Sequence, residues 1–248
     1  MGGKKIELSR WLFFLGLAYA SFQVLPAFFQ GFISRFVTLG DVIDFATPWA
    51  VIPIAFFVFS RICRTESEEQ PLSGFQISAS KILLGAGFVL YVEGHGLHLS
   101  ANSLARLIDK AQNPGFYHAA YLWDEIISHY IWDGGVFLIA IALIVASSRR
   151  SYKSLSVPSI FFISVGAILY GFTFAVNSIE GQTIVLGIPA AILGCAACTG
   201  LRWKNSQAER NNPVTLFFLV AYSVTLILFV YWGIRYPGFP QFTELGWI

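Results

Sequence analysis

The chain has 248 residues, of which 56% are hydrophobic and only 12% charged, with a formal net charge of +2 and a mean hydropathy of +0.64. Soluble domains carry about 25% charged residues, and a soluble protein with an enlarged core is excluded by apolar runs that approach the ~20 residues of a membrane helix. The small charge, with no basic stripe, points away from nucleic acid, and three cysteines do not make a disulfide scaffold.

The basic start "MGGKKIELSR" leads into an apolar run too long for a signal-peptide core and without a small-residue cleavage site. It also lacks the Ser or Thr of a myristoylation motif. Seven spans are expected, in a single all-α membrane domain: Trp11–Phe36, Thr47–Cys63, Ile82–Ala105, Ala119–Ala146, Ser159–Val176, Thr183–Leu201 and Val214–Ile234. The connections are short, so sequence neighbours are expected to pack antiparallel. Pro26, Pro53 and Pro189 are expected to kink their helices or mark wide points.

Lysine and arginine set the expected orientation. Lys4, Lys5 and Arg10 precede span one; Arg61, Arg64 and Lys81 flank the second connection. Arg149, Arg150 and Lys153 fill the fourth, and Arg202, Lys204 and Arg210 the sixth. The other side has only Arg35, Arg106, Lys110 and Arg235. The N-terminus is therefore expected in the cytoplasm and the C-terminus outside, with the aromatic tail "YPGFPQFTELGWI" as an interfacial cap.

All four histidines lie in or beside two stretches, "VEGHGLHLSANS" on span three and "YLWDEIISHYIWDGG" on span four. Residues three, four and seven apart share a helix face. That spacing groups His95, His98 and Asn102 on one helix, and His118, Glu125 and His129 on the next; Glu93 and Asp124 point elsewhere if both helices are regular. Counted from a turn at Asn113, His98 lies fifteen residues before and His129 sixteen after, with Asn102 and Glu125 at eleven and twelve. The hairpin is expected to set His98 against His129 and Asn102 against Glu125, about 10–15 Å below the outer surface at 1.5 Å per residue.

Ionisable groups at such depth cost about 2.5–3.5 kcal/mol each on insertion scales and persist when paired or functional. Imidazole and carboxylate are the usual ligands of zinc and non-haem iron. His95, His98, His129 and Glu125 are the expected metal ligands, with Glu125 and Asn102 the expected catalytic groups. A bound divalent metal would lower the pKa of its water and suit hydrolysis of a lipid, or oxidation if the metal is iron, with membrane lipids or another apolar molecule as substrate. His118, Glu93, Asp124, Asp133, Asn177 and Glu180 rank second; Asp133 would orient a histidine, while Asn177 and Glu180 would complete the cavity from span five. Arg106 is expected to snorkel.

Four alternatives stand beside this reading: a hydrogen-bond network that staples the two helices, a proton or ion path, haem b on His98 and His129 as axial ligands, and a non-catalytic binding or transport subunit of a membrane complex. Partner subunits would dock through small-residue helix faces. Cys195 and Cys198 sit in such a run with Gly187, Ala191 and Gly194, where close helix packing is favoured over a redox role. Span seven has no lysine for a retinal Schiff base and no histidine, so the H-x-x-x-H pair that alkaline ceramidases and progestin/adipoQ receptors carry there is absent.

Overall fold

The computed structural model describes residues 7–64, 74–148, 150, 152–204 and 210–247. The described residues are mainly helical, with no strand among them beyond an isolated bridge between Phe32 and Thr38. Among the described residues nine α-helices follow in order: α1 Leu8–Val24, α2 Leu39–Phe45, α3 Thr47–Arg64, α4 Gly74–Ala105, α5 Pro114–Tyr121, α6 Ser128–Ser147, α7 Val157–Glu180, α8 Ile184–Lys204 and α9 Pro213–Arg235. A π-helical segment, Leu122–Ile127, joins α5 to α6. Among the described residues seven stretches are long and apolar enough to cross a membrane, α2 with α3 and α5 with α6 each counting as one. The seven-span expectation therefore stands. Lys4, Lys5, Arg149 and most of the "RTESEEQPLSG" loop lie outside the described residues.

Two ends differ from the expected spans. The first was expected to run to Phe36, but α1 stops at Val24 and a 3-10 turn containing Pro26 follows. Proline lacks the amide that would continue the ladder, and Phe28, Phe32 and Ile33 are left exposed on the loop beyond it. The second span starts earlier than Thr47. Thr38 and Asp41 form a reciprocal capping box that opens α2, each side chain satisfying an amide of the other. Pro53 and Pro189 lie within continuous helices.

Helix α4 lies along α6, α1 along α7 and α3, and α9 along α7 and α8. The expected neighbour pairing thus holds for some pairs only, since α1 and α7 are far apart in sequence. Their contact is made by glycines: a Cβ on Gly16 would stand 2.0 Å from the carbonyl oxygen of Gly166. Without side chains at the crossing, the backbones come together and dispersion contacts replace the hydrophobic force that lipid does not supply. A core of Tyr19, Tyr170, Phe174, Phe217, Phe218 and Tyr222 fills the space between α1, α7 and α9. Cys195 packs against Leu219 and Ser223 of α9, and Cys63, Cys195 and Cys198 are all free thiols.

The opposite end from the histidines is closed by side-chain caps. Gln76 donates to the carbonyls of Val145 and Ser148, 2.7 and 3.1 Å away. Asn212 caps α9 and also donates to the Ser147 carbonyl at 2.9 Å. Carbonyls at a helix C-terminus have no partner within the helix, so these bonds fix the end of α6 to its neighbours.

Candidate functional site

The α4–α6 hairpin carries most of the site. A Cβ on Gly94 would lie 2.6 Å from the backbone nitrogen of Trp132, so the two helices touch through their main chains immediately beside His95. Gly96, on the other side of His95, has nothing within 4 Å of its Cβ position; the helix is regular there and open on that face.

His95 is 2% exposed. Its Nδ1 donates to the Tyr91 carbonyl at 3.0 Å, which fixes the tautomer and leaves Nε2 as acceptor. Gln23 of α1 donates its side-chain amide to that Nε2 at 3.2 Å. The far side of Nε2 faces Asp44 Oδ1 at 3.7 Å. His98 stands between two carboxylates: Nδ1 is 2.8 Å from Asp124 Oδ1, an ion-pair contact whose angle falls short of a hydrogen bond, and Nε2 is 3.9 Å from Asp44 Oδ2. His95, His98, Asp44 and Asp124 thus form one compact cluster.

Asp44 comes from α2, which an external latch holds in place. Arg106, just beyond α4, makes a bidentate pair with Asp41 at 2.5 and 3.0 Å and donates to the Phe36 carbonyl at 3.3 Å. Paired guanidinium and carboxylate planes fix orientation as well as distance. Asp41 and Asp44, three residues apart, share a helix face, so the latch seats Asp44 over the histidines. Arg106 therefore pairs rather than only snorkelling.

The π segment decides which acidic residue of α6 enters the cluster. A π turn holds more residues than an α turn and is frequent at functional sites. Asp124 lies on the buried side, 6% exposed, and meets His98. The Ser128 hydroxyl donates to the Asp124 carbonyl within the same stretch. The expectation from a regular helix, with Glu125 inward and Asp124 outward, is altered by this segment. Glu125 stands instead 4.0 Å from His129 Nε2 and accepts from Gln241 of the tail at 3.5 Å.

His129 reaches the cluster but faces differently. Its ring centroid is 5.1 Å from that of His98, nearly edge to face, while Trp132 stacks on it at 5.2 Å and 18°. The same indole lies 4.0 Å from the His95 ring and 6.1 Å from the His98 ring. Trp132 therefore packs against both His95 and His129, with His98 farther from it. Among the described residues no group of three or more His, Cys, Asp or Glu side chains is arranged to hold a metal ion, and the indole is a physical reason for this at the expected set. Ring contact between His98 and His129 likewise leaves no slot for a macrocycle.

The other expected residues fall around the cluster. Asn102 is half-buried and no hydrogen bond links its side chain to Glu125 among the described residues. Glu93 and His118 are exposed. Asp133, fully buried, accepts from Thr183 and from Ser178, at 3.5 Å for the latter, and belongs to a separate group one turn beyond His129. Asn177 donates to the Tyr19 hydroxyl at 3.1 Å and to the Gln23 side-chain oxygen at 3.4 Å. Glu180 anchors the tail, accepting from the backbone of Phe242 at 2.7 Å and from the Thr243 hydroxyl at 2.7 Å. The tail thus meets Glu125 through Gln241 and is held by Glu180.

Asp44, Gln23 and Tyr19 are the participants that sequence reasoning missed. The available signal was a polar residue inside an apolar run for Gln23, and the i, i+3 pair Asp41/Asp44 for Asp44. Together the side chains make a polar file from Tyr19 through Asn177, Gln23 and His95 to Asp44, His98 and Asp124, contributed by α1, α7, α4, α2 and the π segment.

A groove of about 510 Å³ opens beside the cluster on the apolar outer surface, within the size range of small-molecule sites. Phe45, Trp49 and Ile52 line one wall, Val92 and Leu99 the other, and His95 is the one ionisable residue in the lining. No family model matches the chain, and neither does any curated protein or solved structure.

Proposed function

We propose that this multi-pass membrane protein is an enzyme that acts on a lipid-like, apolar substrate by acid–base chemistry at His98, in the extracytoplasmic half of the bilayer. The observation that carries the reading is the flanking of one imidazole by two carboxylates at 2.8 and 3.9 Å, beside a groove open to lipid. Imidazole oriented by a carboxylate is a recurrent device for moving protons at a reacting centre. Asp124 is the positioning residue on Nδ1, and Nε2 exchanges the proton with substrate or water. His95, oriented by the Tyr91 carbonyl and Gln23, forms the adjoining wall. The charge bias supports the sidedness: Arg61 and Arg150 lie at the end opposite to the histidines, with Arg202 near them.

A second reading places zinc or iron at the cluster. It is favoured by the placement of the Nε2 atoms of His95 and His98, which face the two oxygens of Asp44 at 3.7 and 3.9 Å. The ligands would then be His95, His98 and Asp44, once Gln23 releases the His95 Nε2 lone pair and the three side chains draw closer than they now stand, and the metal would supply Lewis acidity and an activated water.

Both readings are tested on the full chain in lipid. Expression of the wild type is expected to alter a neutral-lipid pool of the host membrane, and His98→Ala to abolish that change while Glu93→Gln retains it. Identical lipid profiles for wild type and a well-folded His98→Ala would leave only binding or transport. Elemental analysis of the purified protein separates the metal reading: stoichiometric zinc or iron that falls on Asp44→Asn supports it, and none removes it.

A further inference from the structure

We propose that the pocket formed by the C-terminal end of α8 and the start of α9, at the end of the bundle opposite the histidines, binds the headgroup of one anionic phospholipid. The inference is independent of the enzymatic reading, since no residue of the histidine cluster takes part.

The pocket encloses about 450 Å³ and is lined by Thr199, Arg202, Trp203, Arg210 and Leu219. Thr199, Arg202 and Trp203 stand at i, i+3 and i+4 on α8 and share one helix face. Arg210 precedes α9, and Leu219 belongs to it. Two guanidinium groups are thus brought to one hollow from either side of a connection. Arg202 is held in place from within the fold. Its Nη1 donates to the Asn212 carbonyl at 3.3 Å, and Asn212, itself buried, is tied to the Ser147 carbonyl at 2.9 Å. A guanidinium carries a fork of further N–H donors, which that single bond leaves for a ligand. Arg210 is exposed, and among the described residues neither arginine is paired with a carboxylate.

The ligand class follows from charge and from place. Guanidinium forks match the oxygens of a phosphodiester in bidentate fashion. The lining contains neither Asp nor Glu, so a choline or ethanolamine ammonium would meet two positive charges and no partner. An anionic headgroup without an ammonium, of the phosphatidylglycerol type, fits instead. The pocket also lies where a lipid phosphate lies, at the end of an apolar span that finishes at Trp203. That indole is 78% exposed, and tryptophan settles at headgroup level. Away from the pocket, Ile192, Ala196 and Thr199 continue the exposed face of α8, a seam along which an acyl chain runs beneath its headgroup. Basic pockets between helices at a membrane surface recur as anionic-headgroup sites.

The test uses the full chain, delipidated in mixed micelles, with equilibrium binding of radiolabelled phosphatidylglycerol or phosphatidylcholine of equal chain length. Phosphatidylglycerol is expected to saturate near one per chain and to bind about tenfold more tightly, the size of one charge-assisted contact. Arg210→Gln is expected to abolish the preference with the melting temperature unchanged. Arg202→Lys keeps the charge and loses the fork, and is expected to fall between. Arg235→Gln, at the other end of the bundle, is expected to keep the preference. Equal binding of the two lipids, a preference that survives Arg210→Gln, or one that Arg235→Gln lowers as much would overturn the proposal. Inorganic phosphate in large excess is expected to leave the bound lipid in place; displacement by it would assign the pocket to a free anion and overturn the lipid.

Discussion

At the scale of single residues, the cluster depends on which atoms are already committed. Truncation of His98 removes the group between two carboxylates, and Asp44→Asn replaces one of the two oxygens that face the Nε2 atoms of His95 and His98. If His98 exchanges the proton, His98→Ala is expected to lower turnover by about 10²–10⁴-fold, the usual span for a general acid or base. Asp124→Asn should cost less, because it alters orientation and leaves the imidazole. A turnover assay on the neutral-lipid pool that the wild type alters measures both, and equal losses would assign Asp124 more than positioning. Gly94 is constrained by backbone instead. Gly94→Ala drives a methyl into the main chain of α6 at 2.6 Å and is expected to destabilise the fold by about 1–3 kcal/mol, as overpacking does. Thermal melting in detergent should show this, with Gly96→Ala as the unaffected companion. The histidines were legible from spacing, since His95, His98 and His129 do meet. Asp44 was not, because it precedes the apolar run by three residues and reads as part of a connection.

At the scale of elements, the π segment and α2 fix the acidic half of the site. No pattern of residue types in "YLWDEII" distinguishes a π turn from an α turn, so the exchange of Asp124 for Glu125 could not be read from periodicity, which assumes a constant angle per residue. Deletion of Ile126 is expected to return the segment toward α-helix and rotate Asp124 away from His98. Far-UV circular dichroism should change little while activity is lost, and retention of full activity would contradict the assigned facing. The latch of α2 is a partly exposed ion pair, and such pairs contribute about 0–1 kcal/mol to stability. Arg106→Ala is therefore expected to leave the melting temperature nearly unchanged and yet to reduce activity, since it frees the arm that carries Asp44. Loss of both together would point to a purely structural role. The anchor of the tail was not legible: Glu180 was expected in the cavity and instead binds the backbone of Phe242 and Thr243.

At the scale of the whole molecule, seven apolar runs sufficed for seven spans, because backbone groups in lipid must be satisfied within the helix itself and length alone then identifies a crossing. Pairing was less legible. Gly16 and Gly166 touch across 150 positions of sequence, and no local pattern names a glycine's partner. Sidedness is open to direct measurement. In a variant without the three native cysteines, Lys110→Cys is expected to react with an impermeant maleimide from outside the cell and Lys153→Cys only after permeabilisation; the reverse pattern would invert the orientation and place the cluster in the inner leaflet.

The backbone contact at Gly94 has a mechanical meaning for this arrangement. With no side chain between them there, α4 and α6 behave as one beam, and His95, His98 and Asp124 are carried by it at fixed separation. Asp44 rides on a separate arm of two turns, jointed to α3 near Ala46 and tethered at its far end by Arg106. The site is thus divided unequally, three groups on the stiff member and one on the light one. A movement of that arm alone would part the carboxylate from both imidazoles and widen the groove mouth in the same stroke.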